Sequence, residues 1–202
     1  MKSRRGEIGY KIMSFFLKPI FILYYRPKLI NKNVIPKKGP IILAGNHMHV
    51  LDQCLPLACT KRPVHYMAKK EYFDSKHAWF FKFVGCISVN RQIKDEVAKG
   101  RAIDILNDGG ALGIFPEGTR NKTEEFLLPF KMGVVSMAQK TGATIVPFGI
   151  TGRYKRGKDN KLTLRLGTPF KVGKDESLED ANEKLRTIVG NLMKENLREE
   201  NR

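Results

Sequence analysis

His47 and Asp52 stand five positions apart, directly after the apolar run Ile41-Ile42-Leu43-Ala44. That run reads as a buried strand, and a strand end followed by a turn holds a reactive side chain rigidly. An imidazole beside a carboxylate is a general base whose tautomer and orientation are set by its partner. With an ordinary pKa of about 6.5 it both takes and gives a proton near neutral pH. A Ser, Cys or Thr nucleophile is not required if the substrate brings its own hydroxyl. Taken alone, the spacing is equally compatible with His47 capping the next helix and Asp52 lying in its solvated first turn.

Three more blocks follow. The first is Gly85-Cys86-Ile87-Ser88-Val89-Asn90-Arg91. The next is Phe115-Pro116-Glu117-Gly118-Thr119-Arg120, with Phe130-Lys131-Met132-Gly133 shortly after it. The last is Ile145-Val146-Pro147-Phe148. Together with Asn46-His47-x4-Asp52 they span residues 46 to 148, about half of the chain. In order and spacing these blocks resemble the glycerolipid acyltransferases, and within them the bacterial 1-acyl-sn-glycerol-3-phosphate acyltransferases. One departure is His49, which stands where that family often has Ser two residues after the catalytic His.

The resemblance implies acyl transfer from a thioester, acyl-CoA or acyl carrier protein, to the sn-2 hydroxyl of lysophosphatidic acid. The product would be phosphatidic acid, for phospholipid synthesis. His47 would deprotonate the hydroxyl and Asp52 would orient His47 and stabilise its imidazolium form. Arg91 and Arg120 would bind the acceptor phosphate, since guanidinium engages phosphate oxygens bidentately. Gly118 would let the backbone approach the acceptor closely, Glu117 and Thr119 would hydrogen-bond its glycerol or orient the arginines, and Lys131 would add a point charge. No cofactor is implied. Another acceptor stays open: glycerol-3-phosphate, another lysophospholipid or a glycolipid.

Composition bounds the rest. A chain of 202 residues predicts one domain with a sizeable core. Cys54, Cys59 and Cys86 form no CxxC pair, which predicts reduced, partly buried thiols. With four His and no clustered Cys, no metal site is expected. The net charge of +17 is uneven. Residues 1–40 carry ten Lys or Arg against Glu7 alone, and residues 152–171 carry seven against Asp159. Such faces meet polyanions, either anionic lipid or nucleic acid. A basic nucleic-acid-binding protein would explain the charge but leave the His47 and Glu117 blocks as coincidences. The chain has no RNP-like aromatic motif, zinc finger or obvious recognition helix, so no nucleic-acid partner is expected.

Residues 8–25 are aliphatic and aromatic but are interrupted by Lys11, Lys18 and Pro19. A spanning helix needs roughly 20 largely apolar residues. The stretch therefore predicts an amphipathic helix lying in the interface of an anionic membrane, kinked at Pro19, at the cytoplasmic face of the cell membrane. Residues 1–35 form this membrane-binding segment and residues 36–202 the catalytic domain.

Behind the blocks, strands and helices alternate. Strands are expected at 40–44, 64–68, 86–90, 111–115, 144–149 and 161–166. Helices are expected at 52–59, 76–83, 94–107, 131–140 and 177–198. This alternation predicts a single α/β domain with a mixed, mostly parallel central sheet flanked by helices. Blocks at the carboxyl ends of its strands would converge on one cleft.

Overall fold

The computed structural model describes residues 2–156 and 161–200, with side chains from residue 7 onward. Its strands are β1 (Lys28–Ile30), β2 (Ile41–Gly45), β3 (Val64–Lys69), β4 (Ile87–Val89), β5 (Ala111–Ile114), β6 (Thr144–Thr151) and β7 (Thr163–Leu166). Its helices are α1 (Lys2–Tyr25), α2 (Cys54–Cys59), α3 (Lys70–Phe73), α4 (Ala78–Phe83), α5 (Glu96–Asn107), α6 (Gly133–Thr141) and α7 (Leu178–Glu200).

The strands form one sheet in the order β1-β7-β6-β2-β5-β3-β4. Neighbours run parallel throughout, except that β6 and β7 pair antiparallel. The expected mostly parallel α/β sheet is therefore the fold observed. The central strand β2 is apolar along its whole length and fully buried, as a parallel strand covered on both faces should be. Its side chains alternate. Ile42 and Ala44 join a core with α5, α6 and α7, while Ile41 and Leu43 join a second core with α1 and α2. Burial of Ile41, Ile42 and Leu43 stabilises the fold by about 1.5–3 kcal/mol each.

Local signals set the ends of the helices. The Asp95 carboxylate accepts the Ala98 N–H at 2.9 Å and starts α5. The amides of Gly109 and Gly110 close its last turn on Leu106 and Ile105. Ser177 Oγ accepts the Asp180 N–H at 3.2 Å before α7.

Two elements escape the sequence pattern. β1 has three residues and α3 has four, too few for a period to register. β1 pairs with β7, so part of the segment expected to serve only as a membrane foot belongs to the central sheet. β6 also runs two residues past its expected end, to Thr151.

α1 runs from Lys2 to Tyr25 through Pro19. Its inner face packs Tyr10 and Phe21 into the second core. Gly9 lies against the end of α4, where a Cβ would come within 1.9 Å of the Phe83 carbonyl oxygen. The outer face is apolar as well: Ile8, Ile12, Phe15, Phe16, Ile20 and Leu23 are all exposed. Trp79 of α4 is also mostly exposed, at 66%. Among the described residues, no helix is long and apolar enough to cross a membrane.

The basic stretch 152–171 is not one solvated surface. Arg165 is buried in β7, where its Nε donates to Asn196 Oδ1 at 2.9 Å and its guanidinium pairs with Glu195 and Glu199 of α7. Its charge is spent on packing α7 against the sheet. Lys158 and Asp159 lie outside the described residues.

Candidate active site

β2, β5, β3 and β4 are parallel neighbours, so their carboxyl ends open on one edge of the sheet. His47 follows β2, the Phe115–Arg120 block follows β5, and Arg91 follows β4. Asn46 is buried and clamps the exit of β2. Its Nδ2 donates to the Ile150 carbonyl at 3.0 Å and its Oδ1 accepts the Ile150 N–H at 2.7 Å. The side-chain amide thus extends the β2–β6 ladder and fixes where the next residue leaves the sheet.

That residue is His47. Its Nδ1 lies 2.8 Å from Asp52 Oδ2, and its ring stacks on Phe115 at 4.0 Å with planes 13° apart. Asp52 is fully buried. Its Oδ2 also accepts the N–H groups of Met48 at 2.7 Å and His49 at 2.8 Å. Its Oδ1 accepts the Tyr154 hydroxyl at 2.6 Å. A buried carboxylate surrounded by donors is an acceptor, so His47 Nδ1 carries the proton and Nε2 is the basic nitrogen. The helix-cap reading of His47 is excluded by this geometry, and so is a solvated Asp52.

Glu117 joins the two main blocks. It is buried, and its Oε1 accepts the His47 backbone N–H at 2.6 Å while Oε2 accepts the Leu128 N–H at 3.1 Å. Burial raises its pKa above the ordinary carboxylate value, against the pull of those two amides. Both oxygens are engaged by the backbone, so Glu117 braces the turn carrying His47. The Asn121 N–H donates to the His47 carbonyl at 2.7 Å and holds the same turn from the other side.

Gly118 has φ +71°, and a Cβ there would sit 2.8 Å from Lys131 Cε. Glycine is required on both counts, and the Lys131 side chain crosses the space it leaves. Thr119, Arg120, Lys131 and Arg91 are exposed. Among the described residues neither Arg120 nor Arg91 has an ion-pair or hydrogen-bonding partner for its guanidinium. In the strand order β5, which leads to Arg120, lies next to β2, and β4, which leads to Arg91, lies three strands away, roughly 14 Å. Lys69, at the end of β3 and paired with Val89, is exposed between them. Sequence reasoning passed over Lys69 because it sits in a run of two lysines with no motif spacing.

A cleft of about 200 Å³ lies against His47, lined also by Asn46, Met48, Glu117, Asn121, Thr123, Phe126 and Met193. Asn121, Thr123, Phe126 and Met193 were not foreseen, and Met193 arrives from α7, far off in sequence. Arg91, Arg120 and Lys131 do not line this cleft. A second depression, of about 260 Å³, lies between β1, β7 and α7 and holds none of the block residues.

A family model described as Acyltransferase matches residues 26–151, well over half of the chain. This chain belongs to the acyltransferase family. The acyltransferase is 32% identical over 171 residues to the 1-acyl-sn-glycerol-3-phosphate acyltransferase of Bacillus subtilis, covering 80% of this chain and 82% of that one. It is 35% identical over 116 residues to the enzyme of the same name in Borreliella burgdorferi, covering 56% of this chain and 46% of the relative's length. In fold, the acyltransferase matches the crystal structure of a 1-acyl-sn-glycerophosphate acyltransferase from Thermotoga maritima. That match has a TM-score of 0.72 at 23% identity, over 92% of this chain and 78% of that one.

His49 and the three cysteines of the acyltransferase are held by packing. His49 Nδ1 accepts the Leu51 N–H at 3.2 Å and its ring stacks on Tyr154 at 4.2 Å, so it is a wall of the turn. Burial pushes the thiols of Cys54 and Cys86 up to about 11 and that of Cys59 up to about 12. Thiols held protonated in this way are poor nucleophiles. Among the described residues no cluster of His, Cys, Asp or Glu could hold a metal ion.

Proposed function

We propose that this acyltransferase moves an acyl chain from a thioester to the sn-2 hydroxyl of 1-acyl-sn-glycerol-3-phosphate, giving phosphatidic acid. The observation carrying the reading is the His47–Asp52 pair, with Nε2 of His47 left as the base beside an open cleft. Support for the acceptor comes from the names of the relatives in Bacillus and Borreliella and from the cationic edge of the sheet.

In this mechanism His47 Nε2 takes the proton from the acceptor hydroxyl as its oxygen attacks the thioester carbonyl. Asp52 stabilises the imidazolium that forms. The tetrahedral intermediate collapses with loss of the thiolate, which receives the proton from His47. Nothing is held covalently on the enzyme, in keeping with its three unactivated thiols. The acceptor's phosphate lies at the strand edge, with Arg120 its primary partner and Lys69, Lys131 and Arg91 adding positive charge. Acyl-CoA and acyl carrier protein are both acidic donors that suit a basic surface.

The acceptor is drawn from a membrane. The outer face of α1 and the neighbouring Trp79 form one apolar surface, flanked by Lys11, Lys18 and Lys82, that fits the interface of an anionic bilayer. Docking there is peripheral and brings the sheet edge to the lipid, at the cytoplasmic side where donor thioesters are found.

The test is an acyl-transfer assay on purified protein that crosses acyl-CoA and acyl carrier protein donors with four acceptors. These are lysophosphatidic acid, glycerol-3-phosphate, a lysophospholipid with a phosphodiester headgroup and a glycolipid. The proposal expects lysophosphatidic acid to be the best acceptor with either donor. Preference for an acceptor without a phosphate monoester would overturn it.

A further inference from the structure

Tyr154 lies outside every sequence block, yet its hydroxyl makes a 2.6 Å hydrogen bond to Asp52 Oδ1. Among the described residues that oxygen has no other hydrogen-bonding partner, whereas Oδ2 takes three. The Tyr154 ring stacks on His49 at 4.2 Å with planes 20° apart. On its far side it meets Tyr25 edge-on at 5.6 Å and Phe21 at 6.5 Å, both from α1. The hydroxyl is thus aimed by packing on two sides, from the turn that carries the base and from the N-terminal helix. Asp52 is wholly buried, so an unpaired Oδ1 would have no water to turn to.

We propose that Tyr154 is a positioning residue for the acyl-transfer base: its hydroxyl locks the rotation of the Asp52 carboxylate and tempers that carboxylate's pull on the His47 proton. The inference rests on the proposed reaction for its kinetic consequences, but the geometry is independent of the acceptor. Asp52 must present Oδ2 to His47 Nδ1 and to two backbone amides at once. Only a donor on the opposite oxygen keeps the carboxyl plane in that setting without competing for Oδ2. A donor on Oδ1 also draws part of the negative charge away from His47, which keeps the imidazolium from becoming too stable to give its proton back. The groups facing the pair are His49 and Cys54 nearby in the chain, Glu117 from the loop after β5, Tyr25 from α1 and Tyr154 itself. Burial, then the charge of Asp52, holds the Tyr154 phenol far above its ordinary pKa, so it stays a donor across the working range.

The test is Tyr154→Phe, which keeps the ring against His49 and α1 and removes only the hydroxyl. With the best donor and acceptor pair, kcat should fall roughly 10- to 100-fold with both KM values unchanged, the range of one hydrogen bond to a charged group. The acid limb of the kcat/KM profile should move to higher pH. Tyr154→Phe combined with Asp52→Asn should lose no more than Asp52→Asn alone, because Tyr154 acts only through Asp52. Nuclear magnetic resonance titration of the His47 ring reads the same effect without substrate, and its pKa should rise in Tyr154→Phe. If the parent transfers no acyl chain to any acceptor, the proposed function fails while this titration still decides the role of Tyr154. An unshifted His47 titration, or additive losses in the double variant, would overturn the proposal. A loss confined to KM would also overturn it, making Tyr154 a substrate contact.

Discussion

Glu117 and His47 are 70 residues apart in sequence and joined by a 2.6 Å hydrogen bond from the His47 backbone amide to the Glu117 carboxylate. The bond shows why the His47 turn and a distant acidic block belong together: the second holds the first in place. With Asn46 anchoring the preceding residue to β6 and Asp52 gathering the amides of Met48 and His49, the turn carrying the base is pinned at four consecutive positions.

The brace leads to a prediction about stability. Glu117→Ala leaves the buried amides of His47 and Leu128 without an acceptor, and each unsatisfied group costs about 1–3 kcal/mol. Denaturant unfolding should detect a loss of about 2 kcal/mol or more, together with a fall in kcat. Glu117→Gln keeps a carbonyl oxygen for one amide and should be milder on both counts. If Glu117→Ala keeps parental stability and only weakens acceptor saturation, Glu117 is a substrate ligand and its bracing role is wrong.

A second prediction separates the two histidines of the turn. His47→Ala should lower kcat by about 10²–10⁴-fold, the usual worth of a general base, with the fold intact by circular dichroism. His49→Ala removes a ring stacked on Tyr154 and an acceptor for the Leu51 amide, so its effect should be several-fold and accompanied by lower thermal stability. Equal losses at both positions would leave the assignment of the base unsupported.

Saturation kinetics test the cationic edge. Arg120→Ala should raise the KM for acceptor roughly 10-fold or more while leaving that for donor near the parental value, as expected for a charged hydrogen bond of about 1.5–3 kcal/mol. Lys69→Ala and Arg91→Ala should act in the same direction and more weakly, since their strands lie farther from His47. Impaired donor saturation in Arg120→Ala would move that arginine to the thioester's site.

The membrane face is tested by substitutions that spare the core. Because Tyr10 and Phe21 are buried and Tyr25 backs Tyr154, deleting α1 would damage the fold and the dyad together. Phe15→Ser with Phe16→Ser touches only the exposed side. This double variant should bind anionic vesicles more weakly and lose activity on vesicle-borne acceptor, yet keep activity on a short-chain soluble one. Trp79 is the chain's single tryptophan, so its fluorescence should shift to shorter wavelength as the parent binds vesicles. No spectral change on binding would remove α4 from the contact.

Acid unfolding reports on the other end of the sheet. The hydrogen bond from Lys28, then that from Arg165, hold Glu199 below its ordinary value of 4.5. A carboxyl depressed in the folded state stabilises it above the unfolded pKa, and that contribution is lost as pH falls through the folded pKa. Glu199→Gln should therefore unfold in less urea than the parent at neutral pH, with the gap closing at acid pH, below the ordinary carboxylate range. A gap equally wide at both values would mean that the side chain's shape, not its charge, matters there.

The sequence by itself determined the α/β class and most element positions, and it marked the His47–Asp52 pair. Those signals are local: an apolar strand, a helical period, a His five residues before an Asp. It also marked Glu117 and Gly118, but as parts of a resemblance whose physical reasons were hidden. Tertiary structure alone decided what they do. A carboxylate's partners depend on which loops the parallel strands bring to one edge, and Glu117 meets His47 only because β5 pairs with β2. Tyr154 reaches Asp52 across 102 residues through the antiparallel return from β6, with no spacing to announce it. Arg165 looked like one charge in a basic stretch, until β7 turned it inward to Asn196 and Glu199. Backbone periodicity is written along the chain, whereas hydrogen bonds between distant loops follow from strand order, which arises only when the sheet closes.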